Sequence, residues 1–179
     1  MFSTSFVCLN DSSIFTLRAS YLHSVGVIHR DLKPANILVS QTEPLGGGRR
    51  TMPTVKISDF GTATRVCEAQ AMRRSCVGTP WFLSPEVIQV EEYSFPADIW
   101  SIGCCLFNLV VGRRPYHELN AMQCIFRMVT EDHPPIPAAA ALSDECRAFI
   151  MACWRRDWRT RPTAVELMEH PFIVNNMRV

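Results

Sequence analysis

YLHSVGVIHRDLKPANILV, residues 21–39, decides how the chain is read, because it sets a basic residue, a carboxylate, a lysine and an amide between two apolar runs. Asp31 and Asn36 are five positions apart with Pro34 between them. Proline has no N–H and disfavours helix at the residue before it, so an irregular loop joins the two runs. Loops held by flanking apolar elements are where catalytic groups concentrate. In such a loop Asp31 can accept a hydroxyl proton, Lys33 can neutralise a transferring phosphate, and Asn36 can offer its carbonyl oxygen to a hard cation such as Mg²⁺. All three are parts of phosphoryl-transfer chemistry.

The whole chain limits the alternatives. Its 179 residues suit one domain with a sizeable core. A net charge of +1, from 18 basic and 17 acidic residues, gives no reason to expect nucleic acid or an anionic membrane as the main partner. Eight cysteines without C-x-x-C spacing, several in apolar helical runs, read as buried free thiols in a reducing, cytoplasmic compartment. The N-terminus MFSTSFVCLND lacks the basic region and long apolar core of a signal peptide. The longest apolar run, IWSIGCCLFNLVV at 99–111, is too short to span a bilayer and reads as a buried core helix.

Around the opening stretch, local signals predict an α-rich body with a short hairpin. Residues 1–11 show no period. From Ser12 or Ser13, Ile14, Leu17, Tyr21, Leu22 and Val25 recur at helical spacing, and Gly26 stops the run. Ile37–Val39 and Thr54–Ile57 read as strands joined by QTEPLGGGRRTMP, whose glycines and prolines argue against a regular element, so a solvated loop is expected there. Pro96 opens the central helix and Gly112 closes it. Further helices are expected near 118–130, 143–154 and 162–169, with Trp154 and Trp158 as core and rim packing.

HRDLKPAN at 29–36, SDFGTA at 58–63 and GTPWFLSPEVI at 78–88 follow one another in order. Together they resemble the catalytic loop, metal-binding turn and activation segment of eukaryotic serine/threonine protein kinases. HPPIP at 133–137, taken with GTPWFLSPEVI, is most similar to the MAP kinase kinase kinase branch. The resemblance implies an α+β fold, a mainly helical kinase C-lobe with a short β-hairpin by the catalytic loop, over residues 12–174, with 175–179 as a tail.

The resemblance also implies roles. Asp31 would be the catalytic base, Lys33 would meet the transferred phosphate of ATP, and Asn36 and Asp59 would hold Mg²⁺. Thr79 would bridge Asp31 and Lys33 by its hydroxyl. Arg30 would receive a phosphate on the activation segment, which also carries Arg65, Arg73 and Arg74, with Ser75 as the first candidate by position. Val77 stands just before Gly78, where such kinases often carry threonine. His29, beside an aspartate, invites comparison with a hydrolytic triad, but no Gly-x-Ser-x-Gly elbow accompanies it, and it resembles the kinase histidine that packs into the core. Asp98 would accept backbone N–H groups beneath the loop, and Glu86 would pair with Arg161 in TRPTA. Lys33 followed by Pro34 fits serine and threonine acceptors rather than tyrosine.

A complete kinase carries a Gly-rich phosphate loop, a strand lysine and a helix glutamate upstream of these motifs, and residues 1–20 contain none of them. The N-lobe is therefore expected to be absent from this chain, with weak or no affinity for ATP and negligible kinase activity of the chain by itself as the consequence. The expected function is phosphoryl transfer from ATP to protein serine or threonine hydroxyls in signalling, with a MAP kinase kinase as one possible substrate. The alternative is an inactive kinase-like module that binds or scaffolds a partner.

Overall fold

The computed structural model describes residues 15–40, 44–46, 49–50, 54–65, 78–90 and 94–176. Its first helix, α1 (15–24), ends at Gly26, whose φ of 76° is the left-handed turn a glycine takes without strain. The helix is where the periodicity put it, but it is rotated. Phe15, Thr16 and Ala19 are buried, whereas Leu17, Tyr21 and Val25 are 49%, 65% and 52% exposed. Two stripes in this segment share the helical period. The buried one contains a small and a polar residue, which a search for large apolar side chains passes over.

Six short strands follow among the described residues: β1 (Val27–Ile28), β2 (Ile37–Val39), β3 (Pro44–Gly46), β4 (Arg49–Arg50), β5 (Val55–Ile57) and β6 (Thr64–Arg65). They pair antiparallel as β1 with β6, β2 with β5, and β3 with β4. Ile37 faces Ile57 and Val39 faces Val55 across the second pair. The β3–β4 pair corrects the expectation of an irregular connection. Proline is tolerated at the first position of a strand in a two-stranded ribbon, where no central ladder needs its N–H.

Next come α2 (Pro85–Ile88), α3 (Phe95–Val111), α4 (Ala121–Thr130), α5 (Asp144–Cys153), α6 (Ala164–Met168) and α7 (Pro171–Asn176). Helix α3 is the axis of the body. Pro96 lies in its first turn, and Gly112, at φ 78°, donates its N–H to the Asn108 carbonyl. Every residue from Ala97 to Phe107 is buried, so the helix meets protein on all sides. Gly103 sets its approach to α5, since a Cβ there would lie 2.7 Å from the Cys153 Cβ and 2.9 Å from the Trp154 Nε1.

The core gathers Trp100, Leu106, Phe149, Ile150, Trp154 and Phe172, all fully buried. Each such side chain contributes about 1.5–3 kcal/mol by leaving water. Trp158 is half-buried at the rim. Helix α4 starts at 121 rather than 118 because Asn120 and Gln123 form a reciprocal capping box. At its far end Arg156 reaches the carbonyls of Met128, Val129 and Glu131. Helix α7 is an addition to the expected set. Its six residues are too few for a period to be read, yet Phe172 and Ile173 are buried.

Cys104, Cys105, Cys124, Cys146 and Cys153 are free and buried. Desolvation pushes the Cys124 thiol up to about 12 and that of Cys146 up to about 11, which leaves both protonated and unreactive. No helix of the described residues is long and apolar enough to cross a membrane.

Candidate active site

The loop between β1 and β2 is fixed from beneath by the first turn of α3. Asp98, 1% exposed, accepts the backbone N–H of His29 at 2.9 Å and that of Arg30 at 3.0 Å. These bonds hold a bent backbone, because Arg30 has a φ of 74°, a conformation that costs a non-glycine residue about 1–3 kcal/mol. His23 of α1 places its Nε2 3.0 Å from the same carboxylate and packs its ring at a tilt against Phe95, with the centroids 4.7 Å apart. Sequence reasoning missed His23. Its signal was its position two residues after the exposed Tyr21, on the face that turned out to be buried.

His29 is fully buried. Its Nδ1 accepts the Asp31 N–H at 3.4 Å, which assigns the other nitrogen as the donor to the Ser58 carbonyl at 3.1 Å. The ring meets Phe60 edge-on at 5.0 Å. Both nitrogens face backbone groups and neither faces a nucleophile.

Asp31 sits at the centre of a small network. Lys33 Nζ lies 2.6 Å from its Oδ2 and donates to Thr79 Oγ1 at 3.1 Å. Thr79 in turn gives Asp31 Oδ1 its hydroxyl at 2.9 Å and its N–H at 3.1 Å. Burial by itself would raise the Asp31 pKa. The hydrogen bonds from Lys33 and Thr79, with the Lys33 charge, outweigh it and hold the carboxyl below its ordinary value. The result is a carboxylate that stays ionised and oriented at neutral pH.

Thr79 reaches this position because Gly78 packs against the loop. A Cβ on Gly78 would lie 3.0 Å from the Arg30 carbonyl oxygen and 2.6 Å from Leu83, and its φ of 131° suits glycine alone. The turn that follows, Pro80–Phe82, is tied to α3 by Ser101, whose hydroxyl donates to the Phe82 carbonyl at 2.8 Å. One turn further, Glu86 meets Arg161 at 2.8 and 3.2 Å, with both side chains almost wholly buried. Arg161 also donates to the carbonyls of Pro96 and Arg155, so its charge is satisfied on every side.

Asn36, buried, donates its amide to the Asp31 carbonyl at 2.9 Å. Its backbone carbonyl accepts the N–H and hydroxyl of Ser58 at 2.9 and 3.1 Å, so Asp59 follows directly on a residue tied to Asn36. Asp59 adopts φ 62° and accepts the Gly61 N–H at 3.4 Å. Among the described residues its carboxylate makes no ion pair. Thr62 closes the arrangement with a hydrogen bond to the His29 carbonyl at 3.0 Å. Arg30 is buried next to Asp31. Arg65 lies exposed in β6, and Ser75, Arg73, Arg74 and Val77 lie outside the described residues.

The structure thus gathers Asp31, Lys33, Asn36 and Thr79 in one hydrogen-bonded cluster, sets Asp59 beside it, and puts Asp98, Glu86 and Arg161 beneath. Such a cluster can orient a hydroxyl, hold a negative charge on Lys33 and present oxygen donors to a hard cation. The sequence model for the protein kinase domain matches residues 16–173. The chain belongs to the protein kinase domain family. Among relatives of this kinase-family chain, MAP3K epsilon protein kinase 1 of Arabidopsis thaliana is 43% identical over 88% of the chain. Cytokinesis protein sepH of Aspergillus niger is 42% identical over 88%, and Cell division control protein 7 of Schizosaccharomyces pombe is 37% identical over 87%. The matches cover 11%, 11% and 13% of those relatives' own lengths.

Proposed function

We propose that this chain is the C-lobe of a serine/threonine protein kinase that transfers the γ-phosphate of ATP to a protein hydroxyl. The observation that carries the reading is the Asp31 carboxylate, oriented by Lys33 at 2.6 Å and by the Thr79 hydroxyl at 2.9 Å. A carboxylate kept ionised can take a hydroxyl proton as the oxygen attacks, and a lysine beside it can neutralise the charge gathering on the phosphoryl group.

The donor set suits Mg·ATP. Asn36 spends its amide N–H on Asp31, leaving the amide oxygen as the end open to a cation, and Asp59 adds a carboxylate with no competing ion pair among the described residues. Two protein oxygens with waters and phosphates completing the shell is how Mg²⁺ is usually held. When bound, the metal neutralises phosphate charge. Leu38 of β2 and Phe60, next to Asp59, are 52% and 47% exposed, and we infer that they offer apolar surface to an opposing lobe and a nucleotide base.

Lys33 before Pro34 favours serine or threonine as acceptor. The name of the MAP3K epsilon relative supports a place in MAP kinase kinase kinase-type signalling, and a MAP kinase kinase is the substrate we propose. The buried free thiols suit a cytoplasmic setting. The test is transfer of labelled γ-phosphate to serine, threonine and tyrosine peptides by the gene product carrying this chain and any upstream reading frame. Label on serine or threonine that disappears with Asp31→Asn is expected. Equal labelling by the two proteins, or none by either, overturns the reading.

A further inference from the structure

Over the ring of Trp81, two residues along the chain from Thr79, lies a cation that forms no ion pair among the described residues. The Arg114 guanidinium lies over the Trp81 ring, 3.8 Å from its centroid, and among the described residues it makes no hydrogen bond or ion pair. The Arg114 Nε and the Trp81 Nε1 are both buried donors lacking an acceptor. The indole N–H groups of Trp100 and Trp154 also lack an acceptor among the described residues, and what sets Arg114 and Trp81 apart is that the two meet in one stack. The nearby charges are already committed. Arg113 donates to the His117 Nε2 at 3.2 Å, and the His117 Nδ1 meets Glu118 at 2.7 Å. Arg114 also lines a cleft of about 290 Å³ with Phe107, Tyr116 and Pro135, and the Arg113, His117 and Glu118 chain just described lines it too, with Glu118 held by His117 rather than by Arg114.

The position matters. Trp81 is two residues from Thr79, whose hydroxyl is 2.9 Å from Asp31, and two Cα steps span at most about 7.6 Å. Stacking on an aromatic face holds an arginine flat and leaves its fork free for a planar or tetrahedral anion. We propose that Arg114 is a specificity-determining residue that binds an anionic side chain, carboxylate or phosphoryl, within about four residues of the acceptor hydroxyl in the protein substrate. The proposal rests on the kinase reading above, which supplies the peptide whose side chain Arg114 would meet.

The test measures binding, so it does not depend on turnover. Fluorescently labelled serine peptides carrying glutamate, phosphoserine or alanine at each position flanking the acceptor are titrated into this chain at low and at physiological salt. The expected result is about tenfold tighter binding of one glutamate or phosphoserine peptide than of its alanine partner, with the gap narrowing as salt rises. Arg114→Met, which keeps the packing on Trp81 without the charge, removes the difference, and Arg114→Lys retains part of it. Circular dichroism melts confirm that both variants fold. Equal binding of anionic and alanine peptides overturns the inference and leaves the kinase reading standing. An Arg114-dependent preference that ignores replacement of the acceptor serine keeps the anion site and counts against the kinase reading. Absence of binding by every peptide overturns both.

Discussion

Two ion pairs of the same chemistry sit on either side of the segment 79–86, in opposite circumstances. Glu86 and Arg161 are 4% and 0% exposed, and Arg161 has every donor group facing a carboxylate or a carbonyl. Asp31 and Lys33 are 9% and 24% exposed, and they share one further partner, the Thr79 hydroxyl. The first pair cannot lose a member without leaving a buried charge alone. The second can, because water reaches it. Under the proposed kinase reading, the difference separates the pair that builds the site from the pair that would act in it.

The largest effect is expected at the buried pair. Glu86→Ala strands the Arg161 guanidinium, and chemical denaturation should show a loss of about 3–5 kcal/mol. A loss below 1 kcal/mol would mean that the pair is no more structural than the one above it. Asp98→Ala comes next, since it orphans the N–H groups of His29 and Arg30. Each orphaned donor costs about 1–3 kcal/mol, and native-state hydrogen exchange should quicken at those two amides first. Thr79→Val, which removes the hydroxyl bridging Asp31 and Lys33, is expected to cost about 1 kcal/mol while lowering phosphate transfer more than stability.

The smallest stability effect is that of Asp31→Asn, and it carries a pH signature. Because the folded-state pKa of Asp31 is depressed, its carboxylate stabilises the fold above the unfolded-state value, near pH 4, and that contribution fades as pH falls through the folded value. The gap in melting temperature between the native protein and Asp31→Asn should therefore be constant around neutrality and close in acid. A gap that widened below pH 4 would contradict the hydrogen-bond geometry.

Much of this was legible in the sequence. The central helix announced itself by Pro96, Gly112 and the apolar run between them, because those signals are local. The geometry around Asp98, Thr79, Glu86 and Arg161 was reachable only through resemblance to a family, since contacts spanning 48 to 75 positions leave no trace in composition or period. Two things stayed hidden for physical reasons. The rotation of α1 is set by His23 meeting Asp98 and Phe95, which no count of apolar residues along that helix contains. The β3–β4 pair arises in a segment rich in glycine and proline, where edge pairing asks little of side chains.

The most direct test of the distinction between building and acting sets Asp31→Asn beside Glu86→Gln, each measured for its melt at pH 7 and for phosphate transfer in the gene product that carries this chain. Asp31→Asn should stay within about 1 kcal/mol of the native protein and lose transfer by about 10²-fold or more. Glu86→Gln should lose stability first and transfer only in proportion to the unfolded fraction. Equal destabilisation by the two substitutions, or undiminished transfer by Asp31→Asn, would contradict that distinction.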